Sequence, residues 1–203
     1  MSRVTIISAA AIIAMLAPSV CADDLNPPFW RGDPGTTLQM WEFGTAANPT
    51  PPDVVANPYG DPLLTVAGNF PYTLWKATDF GHQGVWRFED WMILEIPNNP
   101  EPNDHKYIWM QITYSSGYGH DPELFTLPPE ASIMPISKVQ LDDYYWHGTY
   151  VITITPNCAF ETIYIEPRDC TAYIDEIVVD TICIPEPASL LLLAVAGLFL
   201  RRR

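Results

Sequence analysis

The sequence predicts an all-β protein whose body is a single antiparallel β-sandwich. Short stretches rich in aromatic and β-branched residues alternate with period two, and 21 prolines gather in clusters between them. No window of residues 23–183 sustains a helical period. Without strand–helix alternation there is nothing to build a parallel sheet, so two sheets that bury facing rows of side chains are expected. No internal repeat is visible, which disfavours propellers and solenoids.

The strand candidates follow in order. Residues 38–43, 63–66, 74–77, 85–88 and 91–96 are apolar or alternating runs bounded by Pro, Gly and Asn. Residues 45–62, "TAANPTPPDVVANPYGDP", form a long Pro-rich loop, either a mobile insertion or a segment packed through Val54, Val55 and Tyr59. The clearest strand is "YIWMQITY", residues 107–114, with Ile108, Met110 and Ile112 on one face and Gln111 and Thr113 on the other. "TYVITIT", residues 149–155, turns Tyr150, Ile152 and Ile154 inward, and residues 163–165 and 172–180 continue the series.

Both ends read as address labels. Residues 1–22 hold Arg3, an apolar run over 4–16 and the small residues Val20 and Ala22, the three parts of a signal peptide cut after Ala22. At the other end, Pro185-Glu186-Pro187 precedes an apolar run over 188–200 and the basic trio Arg201, Arg202 and Arg203. As a helix that run extends only about 20 Å. The hydrocarbon core is roughly 30 Å thick, and snorkelling arginines lengthen the reach while staying cytoplasmic. The body, residues 23–183, is thereby left outside.

Triplet, transmembrane helix, basic end and leader together resemble a PEP-CTERM sorting signal over residues 184–203. That resemblance implies recognition by a membrane exosortase and removal of the tail near Pro185 to Pro187. It further implies delivery to the envelope surface or extracellular matrix of a Gram-negative bacterium. A second resemblance lies in "TAYIDEIVVDTI", which is similar to the closing strand of galactose-binding-like jelly rolls. It implies a jelly-roll sandwich, with Asp175 helping to hold a structural calcium and Glu42 of "QMWEF" as its partner on the first strand.

Charge narrows the company such a body keeps. Residues 23–187 retain six of the ten basic residues and all 24 acidic ones, a net charge of about −18. Phosphate backbones and anionic lipid headgroups are repelled, so nucleic acid is excluded as a partner. Calcium, cationic polymers and neutral glycans remain. After export three cysteines are left. Pairing Cys158 with Cys170 closes a loop that stabilises by roughly 3 kcal/mol; Cys170 with Cys183 competes, and an odd thiol results either way.

Chemistry-bearing motifs are few. There is no G-x-S-x-G, S-x-x-K or H-E-x-x-H. Two suitably spaced carboxylates suffice for glycoside hydrolysis, so a small glycan-active enzyme stays as a third reading. His82, His105, His120 and His147 are scattered, three of them beside glycine, and are expected as solvated turn residues. In "DDYYWHG", residues 142–148, an extended backbone cannot bury Tyr144, Tyr145 and Trp146 together. One ring must face outward, giving a glycan contact through Tyr145 with Asp142 or Asp143. Trp30, Trp41, Trp75, Trp86, Trp91 and Trp109 are expected as packing residues.

The function expected is thus a non-catalytic exported protein with a structural or adhesive role in envelope or exopolysaccharide. A calcium-stabilised carbohydrate-binding module is the alternative.

Overall fold

The computed structural model describes residues 24–100, 105–116, 120–127, 131–155, 160–168 and 171–184, and no α-helix occurs among them. The expected leader over 1–22, all of the expected sorting signal over 184–203 except Ile184, and both Cys158 and Cys170 lie outside the described residues. Cys183 is a free thiol.

The strands are β1 (Thr36–Trp41), β2 (Val54–Ala56), β3 (Leu63–Val66), β4 (Leu74–Asp79), β5 (His82–Phe88), β6 (Met92–Pro97), β7 (His105–Ser116), β8 (Glu123–Leu127), β9 (Ser132–Gln140), β10 (Trp146–Ile154), β11 (Phe160–Glu166) and β12 (Ala172–Ile184). They form two sheets in which every pairing is antiparallel. The larger runs β2-β1-β12-β7-β10-β9, with β5 also on β12 and β4 on β5; the smaller runs β3-β6-β11-β8. Alternation builds the shared core. Met92, Leu94 and Ile96 from β6 and Ile163 and Ile165 from β11 meet Ile108, Met110 and Ile112 from β7 and Ile152 and Ile154 from β10. Each such side chain contributes about 1.5–3 kcal/mol by leaving water.

The opposite row of the central strands, which alternation turns away from that core, is buried too: Gln111, Thr113, Thr149 and Asp180 are 0–1 % exposed. An N-terminal segment crosses this face and satisfies it. Arg31 donates to both carboxylate oxygens of Asp180 at 2.6 and 2.7 Å and also pairs with Asp24. Gln111 donates to Asp24 at 2.7 Å and accepts from the Asn26 N–H, while the Trp109 indole donates to the Asn26 carbonyl.

The loop over 45–62 follows neither of the two courses expected for it. It supplies the edge strand β2, whose Val54 and Val55 stay exposed, and it is anchored by polar groups rather than by apolar packing. Thr50 exchanges backbone hydrogen bonds with Leu64, the Trp41 indole donates to the Thr50 carbonyl, and Asn57 donates to Gln39 and to the Pro97 carbonyl. Strands β8 and β9, like β2, fall outside the strand candidates that the sequence offers. Pro135 inside β9 argues against a strand, yet β9 is an edge, and its register shifts against β10 so that Ser137 faces Thr149 while Pro135 faces Tyr150.

One ion pair fastens the sheets to each other. Lys106 of β7 and Glu161 of β11 lie 2.6 Å apart with side chains 0 % exposed, and Asn98 donates to the second Glu161 oxygen at 2.8 Å. The Cys183 thiol donates to Asn98 at 3.2 Å. Burial pushes the Cys183 thiol up despite nearby Lys106. Removing one charge leaves the other buried without its closest counter-ion. Lys106→Met is therefore expected to destabilise the fold by about 3–5 kcal/mol, and the double variant Lys106→Met/Glu161→Leu to recover most of it, measured as the shift in urea midpoint.

Candidate functional site

Three separate parts of the chain converge where the β4–β5 hairpin tip, the β9–β10 turn and a bulge in β12 meet. The hairpin closes through Phe80 and Gly81, with Asp79 paired to His82 on either side. Both central residues have positive φ, 47° for Phe80 and 99° for Gly81. A two-residue turn of this hand matches the twist of its strands and normally takes Asn-Gly. Phe at the first position stores strain, and it holds a ring 62 % exposed at the tip.

The β9–β10 turn is organised by Asp142. Its Oδ1 accepts from the backbone N–H groups of Tyr144 and Tyr145, both at 2.7 Å. Those bonds, the Tyr144 N–H foremost, and the His82 imidazole hold the Asp142 carboxyl below its ordinary range. Asp175 arrives by a different route. β12 passes from β5 to β1 along one edge at this point, and against β7 its register slips so that Ile174 faces Tyr114 while Glu176 faces Thr113. Asp175 is the extra residue, and a bulge redirects its side chain.

His82 ties the three parts together. Its Nδ1 lies 2.6 Å from Asp175 Oδ2 and its Nε2 3.1 Å from Asp142 Oδ2. The ring stacks on Tyr145 with centroids 3.8 Å apart, and the Tyr145 hydroxyl donates to Asp79 at 3.0 Å. Asp79 in turn pairs with Lys76 at 2.6 Å. Burial opposes protonation of His82, but the two carboxylate hydrogen bonds outweigh it and raise its pKa above the ordinary 6.5. With both nitrogens engaged, His82 braces Asp142 and Asp175 against each other.

The structure corrects several expectations here. Tyr145 is 0 % exposed, because its hydroxyl has a buried partner in Asp79; the outward ring is Tyr144, 50 % exposed and stacked on Phe80 with centroids 3.9 Å apart and planes at 13°. Residues 142–145 form a turn instead of an extended strand, so strict alternation does not govern them. Asp142 and Asp143 are exposed beside this pair. Of the expected calcium pair, Asp175 bonds His82 and the Glu42 N–H donates to Asp53, with β1 the neighbour of β12. No group of three or more His, Cys, Asp or Glu with metal-holding geometry occurs among the described residues.

Nor are the histidines uniformly solvated. His82 is clasped, and His147 is buried against Thr113 and Gln111 at 3.0 and 3.2 Å. Of the expected packing tryptophans, Trp41 and Trp86 lie in the core, whereas Trp30 and Trp109 line a surface groove. "TDFGHQG" carried the turn signal for Phe80 and Gly81 but not the identity of the residues that the tip would meet.

All six basic residues of the body are in ion pairs with carboxylates: Arg31 with Asp24 and Asp180, Lys76 with Asp79, Arg87 with Glu89, Lys106 with Glu161, Lys138 with Asp121 and Arg168 with Glu123. The remaining surface charge is carboxylate, and it offers no unpaired cation to an anionic ligand.

The brace has a pH signature. The folded chain binds the His82 proton more tightly than the unfolded chain does, so its stabilisation is complete below about pH 6.5 and is lost as pH rises through the raised folded value. Urea unfolding across this range is expected to show stability falling toward alkaline pH in the native sequence, with that component missing from His82→Gln.

No family model, curated protein or solved structure matches this chain.

Proposed function

We infer that the chain is an exported, non-catalytic protein of the bacterial envelope or exopolysaccharide matrix, trimmed by signal peptidase at one end and by an exosortase at the other. The observation that carries this reading is the pairing of the leader over 1–22 with Pro185-Glu186-Pro187, the apolar run and Arg201, Arg202 and Arg203. It is supported by the position of β12, the last described strand, which runs to Ile184 beside the triplet. The body is a β-sandwich of jelly-roll type in this reading. The alternation of early and late strands supports it, with β1-β12-β7-β10 in one sheet and β6-β11-β8 in the other.

Mass spectrometry of the native C-terminus tests the sorting. In cells with an active exosortase the chain is expected to end near Pro185 to Pro187, and in cells lacking one it should retain Arg203. A C-terminus at Arg203 in both overturns the reading.

A second reading, a carbohydrate-binding module with calcium as its cation, is favoured by the exposed Phe80–Tyr144 stack with Asp142 and Asp143 alongside. Apolar sugar faces stack on such rings while carboxylates accept from hydroxyls. On a glycan array Tyr144→Ala is expected to weaken binding about tenfold, equivalent to about 1.4 kcal/mol. Binding unchanged by Tyr144→Ala removes this site, and a chelator arm reports whether calcium takes part.

A further inference from the structure

A groove of about 250 Å³ opens on the larger sheet between the N-terminal segment and the strand ends, lined by Phe29, Trp30, Tyr107, Trp109, Val151 and Ile184. It is almost wholly apolar. The Trp109 indole N–H is already bonded to the Asn26 carbonyl, so that ring offers the groove hydrocarbon and a π-face. Among the described residues no carboxylate lines it. At its mouth Phe29 is 98 % exposed and Ile184 38 %. A phenylalanine so fully in water, beside an aromatic groove, is a surface awaiting an apolar partner.

Ile184 identifies that partner. Only Pro185, Glu186 and Pro187 separate it from the apolar run over 188–200, and even fully extended the chain spans no more than about 14 Å from Ile184 to Ala188. Once the run is in a bilayer, the groove is held within reach of the headgroup and upper acyl layer, where Trp, Tyr and Phe partition preferentially.

We propose that, before the tail is cut, this groove is a membrane-docking surface: Phe29, Trp30, Tyr107 and Ile184 enter the interface of the phospholipid bilayer that holds the tail. The docking rests on the sorting-tail reading. The tail supplies the anchor, and its short tether makes the contact effectively intramolecular. The aromatic edge fixes the height and tilt of the body, which keeps Pro185 to Pro187 at the membrane surface. Cutting the tail removes the tether, and the strongly acidic body leaves the membrane.

The test uses residues 23–203, the chain after the expected leader cut, reconstituted in phosphatidylcholine vesicles, with and without lipid brominated near the headgroup end of its chains, and reads tryptophan emission. Alkaline carbonate extraction of the same vesicles reports separately whether the tail is inserted. Brominated lipid is expected to quench the native chain and Trp91→Phe alike. Trp30→Phe should lose about half or more of that quenching, because Trp30 is one of two tryptophans lining the groove. Phe29→Asp, at a position 98 % exposed, should also reduce it.

Carbonate-resistant protein that shows no quenching, or equal quenching in Trp30→Phe, overturns the docking and leaves the sorting tail standing; the groove then holds residues 188–200 or a second copy of the chain. Protein released by carbonate overturns both.

Discussion

The antiparallel ladder between β12 and β7 is the constraint on which the rest of the molecule hangs. It runs from Ala172 opposite Ser116 to Ile184 opposite His105, and β12 is hydrogen-bonded along its other edge as well, first to β5 and then to β1. A strand paired on both edges and buried on both faces has no freedom to slip, since a one-residue shift would exchange its core row for its outer row. Each distinctive feature takes a residue from it. Asp175 reaches His82, Asp180 receives Arg31, Cys183 donates to Asn98, and Ile184 ends at the aromatic groove.

Fixing β12 so tightly requires polar groups inside, because the outer face of the larger sheet carries Gln111, Thr113, His147, Thr149 and Asp180. These are satisfied by the segment from Asp24 to Arg31 and by one another. Asp180 shows the balance: burial raises its carboxyl pKa, and the bidentate Arg31 only partly offsets that. Arg31 itself is held more firmly protonated than usual, its burial outweighed by Asp24 and Asp180. A segment that begins within a few residues of the expected leader cut thus belongs to the fold rather than dangling from it.

The same economy of cations governs the surface. With six basic residues each committed to a carboxylate, the acidic remainder faces solvent unneutralised, which favours solubility and repels polyanions. Aromatic side chains escape that rule in two places. The Phe80–Tyr144 pair stands beside Asp142 and Asp143, whereas among the described residues no carboxylate lines the Trp30–Trp109 groove. Separating the two is a matter of which charged residues the fold brings near each ring.

By itself the sequence determined the all-β class and most strands, since period-two patterning and proline punctuation are local properties of the chain. Residues 63–66 and 107–114 read directly as β3 and the heart of β7. Patterning failed where pairing with another strand overrides local preference, as at Pro135 in the edge strand β9 and at Val54 and Val55 in β2. Only the tertiary structure decided which ring of Tyr144 and Tyr145 turns inward. It likewise set Asp175 facing His82 across 93 positions of sequence and built an aromatic groove from residues of the N-terminal segment, β7, β10 and the end of β12. Those outcomes depend on strand register and on one bulge, which are fixed by contacts between distant segments and leave no periodic trace in the chain.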